Sequence, residues 1–139
     1  MTVIARMLQS FFACRVADLS VTRSQWSAIA VVARRPGATQ RMIAEALEMS
    51  EASAGRLIDR LCADGLLERR ERENDRRVKA VYVTSAAEPL LTRMSKTAEE
   101  SDERVFNGFS EDELDRLEDY LDRIYANLGK GQWPRQPPA

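Results

Sequence analysis

The stretch from Gly65 to Thr84 constrains this chain more than any other, because the spacing of its apolar side chains changes there. Just upstream, Ala54, Leu57, Ile58 and Leu61 recur at i, i+3, i+4 and i+7, the stripe of a helix that buries one face. Downstream, Leu66-Leu67-Glu68-Arg69-Arg70 and Val78-Lys79-Ala80-Val81-Tyr82-Val83 are of strand length, and the second alternates, with Val81 and Val83 on one face. Between them lies Glu71-Arg72-Glu73-Asn74-Asp75-Arg76-Arg77, a polar run with Asn-Asp for its turn. Gly65 is placed to end the helix in a left-handed conformation. The pattern predicts a helix followed by a two-stranded ribbon with a charged tip.

Helical spacing also marks the flanks. Ile4, Leu8, Phe11, Phe12 and Leu19 predict a first helix over about 4–19. Thr22 is a candidate cap for a second, which carries Trp26, Ile29, Val31 and Val32 and stops at Arg35 before Pro36-Gly37. Thr39 then caps a short helix with Ile43, Ala44 and Leu47 turned inward, and Ser50 caps the helix from Glu51 to Ala63. Two short helices joined by a tight turn, the second opening with small polar and basic residues, read as a helix-turn-helix. Farther on, Leu91, Met94, Ala98, Ser101 and Val105 form one apolar seam, and Leu114, Leu117, Leu121, Ile124 and Leu128 another. Ser110 with Glu113 makes a capping box for the last helix. Pro89 requires the preceding helix to start late or to kink. Residues 129–139, rich in proline and without period, are expected to be disordered.

Composition narrows the chemistry. The chain has no histidine, which removes the commonest general base and metal ligand, and Cys14 and Cys62 stand far apart with no zinc spacing. Neither a catalytic constellation nor a cofactor site is expected. Arg6, Gln9, Ser10 and Arg15 interrupt the apolar residues of the N-terminal stretch, and no stretch approaches the roughly 20 apolar residues of a membrane span, so a cytoplasmic protein with no membrane partner is expected. The net charge of −1 hides an asymmetry: residues 1–96 carry 16 Lys and Arg against 11 Asp and Glu, while residues 97–123 carry 3 against 11. A basic front would steer one face toward a polyanion.

Gly65-Leu66-Leu67, Arg69, Asp75-Arg76-Arg77 and Val83-Thr84 together resemble the wing of the MarR family of winged-helix transcriptional regulators. Thr22 to Trp26, Ala38-Thr39-Gln40 through Leu47, and Arg56 to Leu61 fit the same family, in order, over about residues 4–128. The resemblance implies a mostly helical α+β fold: a winged helix-turn-helix over 22–84, with a dimerisation region of helices over about 1–20 and 88–128, within a single domain of residues 1–128. It implies a homodimeric repressor bound to a pseudo-palindromic duplex and released by a small aromatic or phenolic anion. The chain departs from the family at Glu51-Ala52-Ser53-Ala54-Gly55, where polar reading residues are usual. Gly55 costs a helix about 1 kcal/mol relative to Ala and offers no side chain.

Roles follow on that basis. Thr39, Gln40 and Ser50 near helix N-termini, with Arg41, Arg69 and Arg70, are expected on phosphates. Ser53 and Arg56, beside Gly55, are expected to reach base edges in the major groove. The resemblance gives Arg77 to the minor groove, held by Asp75, with Arg72 and Arg76 on phosphates. Read without it, Glu71, Glu73 and Asp75 merely neutralise these arginines in a solvated turn. Phe11, Phe12, Arg15 and Trp26 are candidate effector contacts, with Arg15 facing a carboxylate, although aromatics on helices are more often plain core. Cys14 offers an alternative, a peroxide-responsive thiol. The other alternative is a winged helix that binds protein rather than DNA.

Overall fold

A computed structural model describes residues 2–72 and 74–129. The chain runs α1 (Thr2–Ala17), α2 (Arg23–Arg34), β1 (Ala38–Thr39), α3 (Gln40–Ala46), α4 (Glu51–Ala63), β2 (Leu67–Arg72), β3 (Asp75–Val83), a 3-10 turn (Ser85–Ala87), α5 (Glu88–Val105) and α6 (Glu111–Leu128). It is mostly helical with one small antiparallel sheet, the winged-helix class expected. The described residues fall into two compact units, one running to Ser101 and the other starting at Asp102. None of the described helices is long and apolar enough to cross a membrane.

Local chemistry sets the helix starts. Thr22, Thr39, Ser50 and Ser110 each accept a backbone N–H from the third residue on, satisfying an amide that the first helical turn leaves without a partner. Thr22 with Gln25, and Ser110 with Glu113, close reciprocal capping boxes. Gly65 takes φ +77°, and the Leu66 N–H reaches back to the Leu61 carbonyl at 2.9 Å, which ends α4 and turns the chain into β2. Thr84 closes the base of the ribbon: its hydroxyl donates to the Gly65 carbonyl at 2.6 Å and its N–H to that of Leu66 at 3.1 Å.

Several boundaries differ from expectation for identifiable reasons. The first helix ends at Ala17, not Leu19; Leu19 sits in the following turn and is nonetheless buried, so its apolar character mimicked helical period. The sheet has three strands in the order β1-β3-β2, because Ala38 and Thr39 pair with Val81 and Ala80. A two-residue strand has no period to read. The charged run of residues 71–77 is also mostly strand: β2 continues to Arg72 and β3 begins at Asp75, with an irregularity in register at Glu71/Arg72. Cross-strand hydrogen bonding overrides polarity there. Pro89 falls in the first turn of α5, where a missing N–H costs nothing. The prolines expected to be disordered lie outside the described residues.

The core of the first unit gathers Val16, Ile29, Val32, Ile43, Ile58, Leu61, Leu67, Val81 and Met94, drawn from α1 through α5. In the second unit α6 has no buried residue; Leu114 and Leu117 are half-buried, and Leu121, Ile124 and Leu128 are exposed.

Ile58→Ala leaves a cavity in the core cluster that includes Ile43 and Leu67 and is expected to cost about 2–5 kcal/mol in urea unfolding, whereas Met42→Ala on the exposed side of α3 should cost about 0.5 kcal/mol or less. Hydrogen bonds from the Ser110 backbone and hydroxyl hold the Glu113 carboxyl below the ordinary glutamate value. Because the folded value is the lower one, this contribution is present above the unfolded pKa and is lost as pH falls through the folded one. Carboxyl NMR titration should place Glu113 lower in the native protein than in Ser110→Ala.

Candidate nucleic-acid interface

The turn between α3 and α4 brings the polar start of α4 to the surface. The Ser50 hydroxyl accepts from the Ser53 N–H at 3.1 Å and lies 2.9 Å from the Ser53 hydroxyl, which in turn accepts from Arg56 Nη2 at 3.2 Å. Ser50, Ser53 and Arg56 thus form one hydrogen-bonded row along the first turns of α4, with Ala54, Ile58 and Leu61 buried on the other side. The amide N–H groups of that first turn favour an anion.

Gln40 and Gly55 have a relationship that the sequence did not disclose. Gln40 Nε2 donates to the Glu51 carbonyl at 3.1 Å, and a Cβ on Gly55 would stand 2.9 Å from that nitrogen. Gly55 is therefore where the α3 side chain lies across α4. The glycine makes room for a helix–helix contact, and Gln40 holds that contact from the other side. Thr39 ends β1 and caps α3, accepting from the Met42 N–H, while Arg41 pairs with Glu45 at 3.4 Å along the exposed face of α3.

On the ribbon, strand alternation separates adjacent arginines onto opposite faces. Arg69 pairs in register with Val81, on the face that carries buried Leu67, and reaches Asp59 of α4 at 2.6 Å. Arg70 lies on the other face, donates to Glu68 through Nε at 2.7 Å and through Nη2, and stacks 4.4 Å above the Tyr82 ring. Of the arginines expected on phosphates, Arg69 and Arg70 have these intramolecular partners. Asp59, Glu68 and Tyr82 were not singled out by the sequence; extending the period of two from Leu67 to Arg69 was the signal available. Beyond Ala80 the ribbon has no support from β1. Arg72 and Arg77 are exposed along it, and a polar cleft of about 550 Å³ opens beside Arg70, Arg72, Asn74 and Tyr82. The expected contact of Asp75 with Arg77, and the role of Arg76, lie outside the described side chains.

The candidate effector residues divide. Phe12 and Trp26 meet edge to face at 5.1 Å, and Trp26 is part of the core, so the plain packing reading describes them. Phe11 is half-buried. Arg15 donates to Glu100 at 2.7 Å, while its Nε is buried with no hydrogen-bond partner among the described residues. Cys14 is exposed on α1, and the neighbouring Arg15 charge is directed to Glu100. Cys62 is half-buried on α4, and burial pushes its thiol above the ordinary value despite Arg69.

The MarR family model matches residues 19–78. The regulator YybA of Bacillus subtilis (strain 168), an HTH-type transcriptional regulator, is 25% identical over 126 residues, covering 91% of this chain and 84% of YybA. Among solved structures, the transcriptional regulator SlyA is 32% identical, with a TM-score of 0.73 over 91% of this chain and 89% of SlyA. A MarR-family regulator from Listeria monocytogenes, solved with a 26mer DNA, superposes with a TM-score of 0.81 at 24% identity, over 91% of this chain and 85% of its own. These relatives are transcriptional regulators, not enzymes. With its helix-turn-helix, β2 and the start of β3 inside the matched segment, and its likeness to SlyA extending along nearly the whole of both chains, this chain belongs to the MarR family of transcriptional regulators.

Proposed function

We propose that the protein is a cytoplasmic homodimeric repressor that binds a pseudo-palindromic duplex, with the start of α4 in the major groove and the β2–β3 ribbon in the adjacent minor groove. The observation that carries this reading is the ribbon itself, which bears Arg72, Arg76 and Arg77 beyond the last pairing with β1. A narrow minor groove has an enhanced negative potential that favours an inserted arginine, and Arg77 has that role here. Ser50 and the α4 amides hold phosphate, while Ser53 and Arg56 face the bases. The Listeria relative, solved with a 26mer DNA, supports duplex DNA as the partner. Winged-helix binding to a protein partner instead has no observation in its favour.

Exposed apolar surface supports the dimer. Val3, Ile4, Met7 and Leu8 are exposed on α1, and Tyr120, Leu121, Ile124, Tyr125 and Leu128 are exposed on α6. A cavity of about 590 Å³ opens against α6 over Phe106, Leu114, Leu117 and Leu121, with Asp102 and Glu118 at its edge. Exposed apolar surface on a helix of a regulator marks a protein contact, and a second copy related by a two-fold axis places two α4 helices on half-sites about 10 bp apart.

Effector release rests on Arg15. A buried guanidinium nitrogen without a hydrogen bond is unfavourable, and a small aromatic carboxylate that displaces Glu100 would satisfy it.

In fluorescence anisotropy with a duplex selected by the wild-type protein, Arg77→Ala should weaken binding about tenfold and flatten the salt dependence by about one phosphate equivalent. Wild-type protein that fails to bind any duplex at low salt, or binding that Arg77→Ala leaves unchanged, would refute the reading. Leu121→Asp with Ile124→Asp should convert the dimer to monomer in analytical ultracentrifugation and abolish binding to the two-half-site duplex while a folded circular dichroism spectrum persists.

A further inference from the structure

We infer that Asp59 and Arg69 form a strut that fixes the angle between α4 and the β2–β3 ribbon, so that both are positioning residues for DNA binding and neither is a DNA contact. The inference rests on the DNA-binding reading above and assigns a role within it.

Three observations carry it. Arg69 is on the inward face of β2, in line with Leu67 and paired with Val81; its side chain is only 25% exposed and reaches Asp59 of α4. Its partner Asp59 follows buried Ile58 on α4, and the Arg69 and Asp59 side chains meet at 2.6 Å. The pair also sits at the base of an unsupported arm: β1 backs β3 only at Ala80 and Val81, and the ribbon continues to Asp75 without a third strand. At about 3.4 Å per residue that arm is roughly 17 Å long. A tilt of about 10° at its base moves the tip by about 3 Å, half the roughly 6 Å width of the minor groove. An exposed ion pair adds little to folding stability. At this location its effect is on where the tip lies.

The sign of one substitution separates the strut from the alternatives. Asp59 is a negative charge on the helix that approaches a polyanion, so by charge alone Asp59→Ala tightens binding. If it is half of a strut, Asp59→Ala loosens the ribbon and weakens binding. We expect Asp59→Ala and Arg69→Ala each to raise Kd about fivefold, the double variant to be no weaker than either single one, and all to keep the wild-type salt slope, with thermal unfolding little changed. The isosteric Asp59→Asn repeats the measurement with the least disturbance to α4. Anisotropy on the duplex selected by the wild-type protein provides the readings. Binding by Asp59→Ala and Asp59→Asn as tight as or tighter than wild type, multiplying losses in the double variant, or an Arg69→Ala salt slope lower by about one phosphate would each overturn the strut. Failure of the wild-type protein to bind duplex would instead refute the DNA-binding reading, and the strut with it.

Discussion

Helix α4 and the ribbon are tied to one scaffold by a shared buried cluster. Ile58 and Leu61 from α4, Leu67 from β2, Val81 from β3 and Ile43 from α3 all have 2% exposure or less. Each contributes on the order of 1.5–3 kcal/mol by leaving water, and together they leave α3, α4 and the sheet little freedom to shift separately. Val81 is the point of closest dependence, since it pairs with Ala38 on one side and Arg69 on the other. Whatever the surface of α4 and the ribbon tip do jointly, they do because this cluster sets their spacing.

Around that cluster the charges are sorted by position. Near the core, arginines have acidic or aromatic partners within the chain: Arg69 with Asp59, Arg70 with Glu68 and Tyr82, Arg15 with Glu100. Along the arm beyond Ala80, Arg72 and Arg77 are exposed. A count of arginines over Arg69–Arg77 therefore overstates the charge aimed outward.

Much of this was legible in the sequence because the signals were short-range. Thr22, Thr39, Ser50, Ser110 and Gly65 mark helix ends through bonds that span only a few residues, and Ala54, Ile58 and Leu61 record the buried side of α4 in their spacing. What was not legible depends on residues distant in sequence. The pairing of Ala38 with Val81 carries no local pattern. Gly55 read as a weak point in a reading helix, and its reason lies 15 residues upstream in Gln40. Arg69 read as a phosphate ligand because the strand period that starts at Leu67 was not carried into the arginine run, and its partner Asp59 lies on another element.

The Arg15–Glu100 pair, and with it the Arg93 hydrogen bond to the Asp18 carbonyl at 3.1 Å, has a consequence for synthesis. The partners lie 85 and 75 residues apart. A chain emerging at about 5–20 residues per second completes α1 roughly 4–17 s before Glu100 exists. During that interval α1, with Val3, Ile4, Met7 and Leu8 uncovered, lacks both anchors on α5. The nascent chain therefore holds α1 without its ties to α5 for seconds, and a ribosome-bound chaperone has that long to meet it.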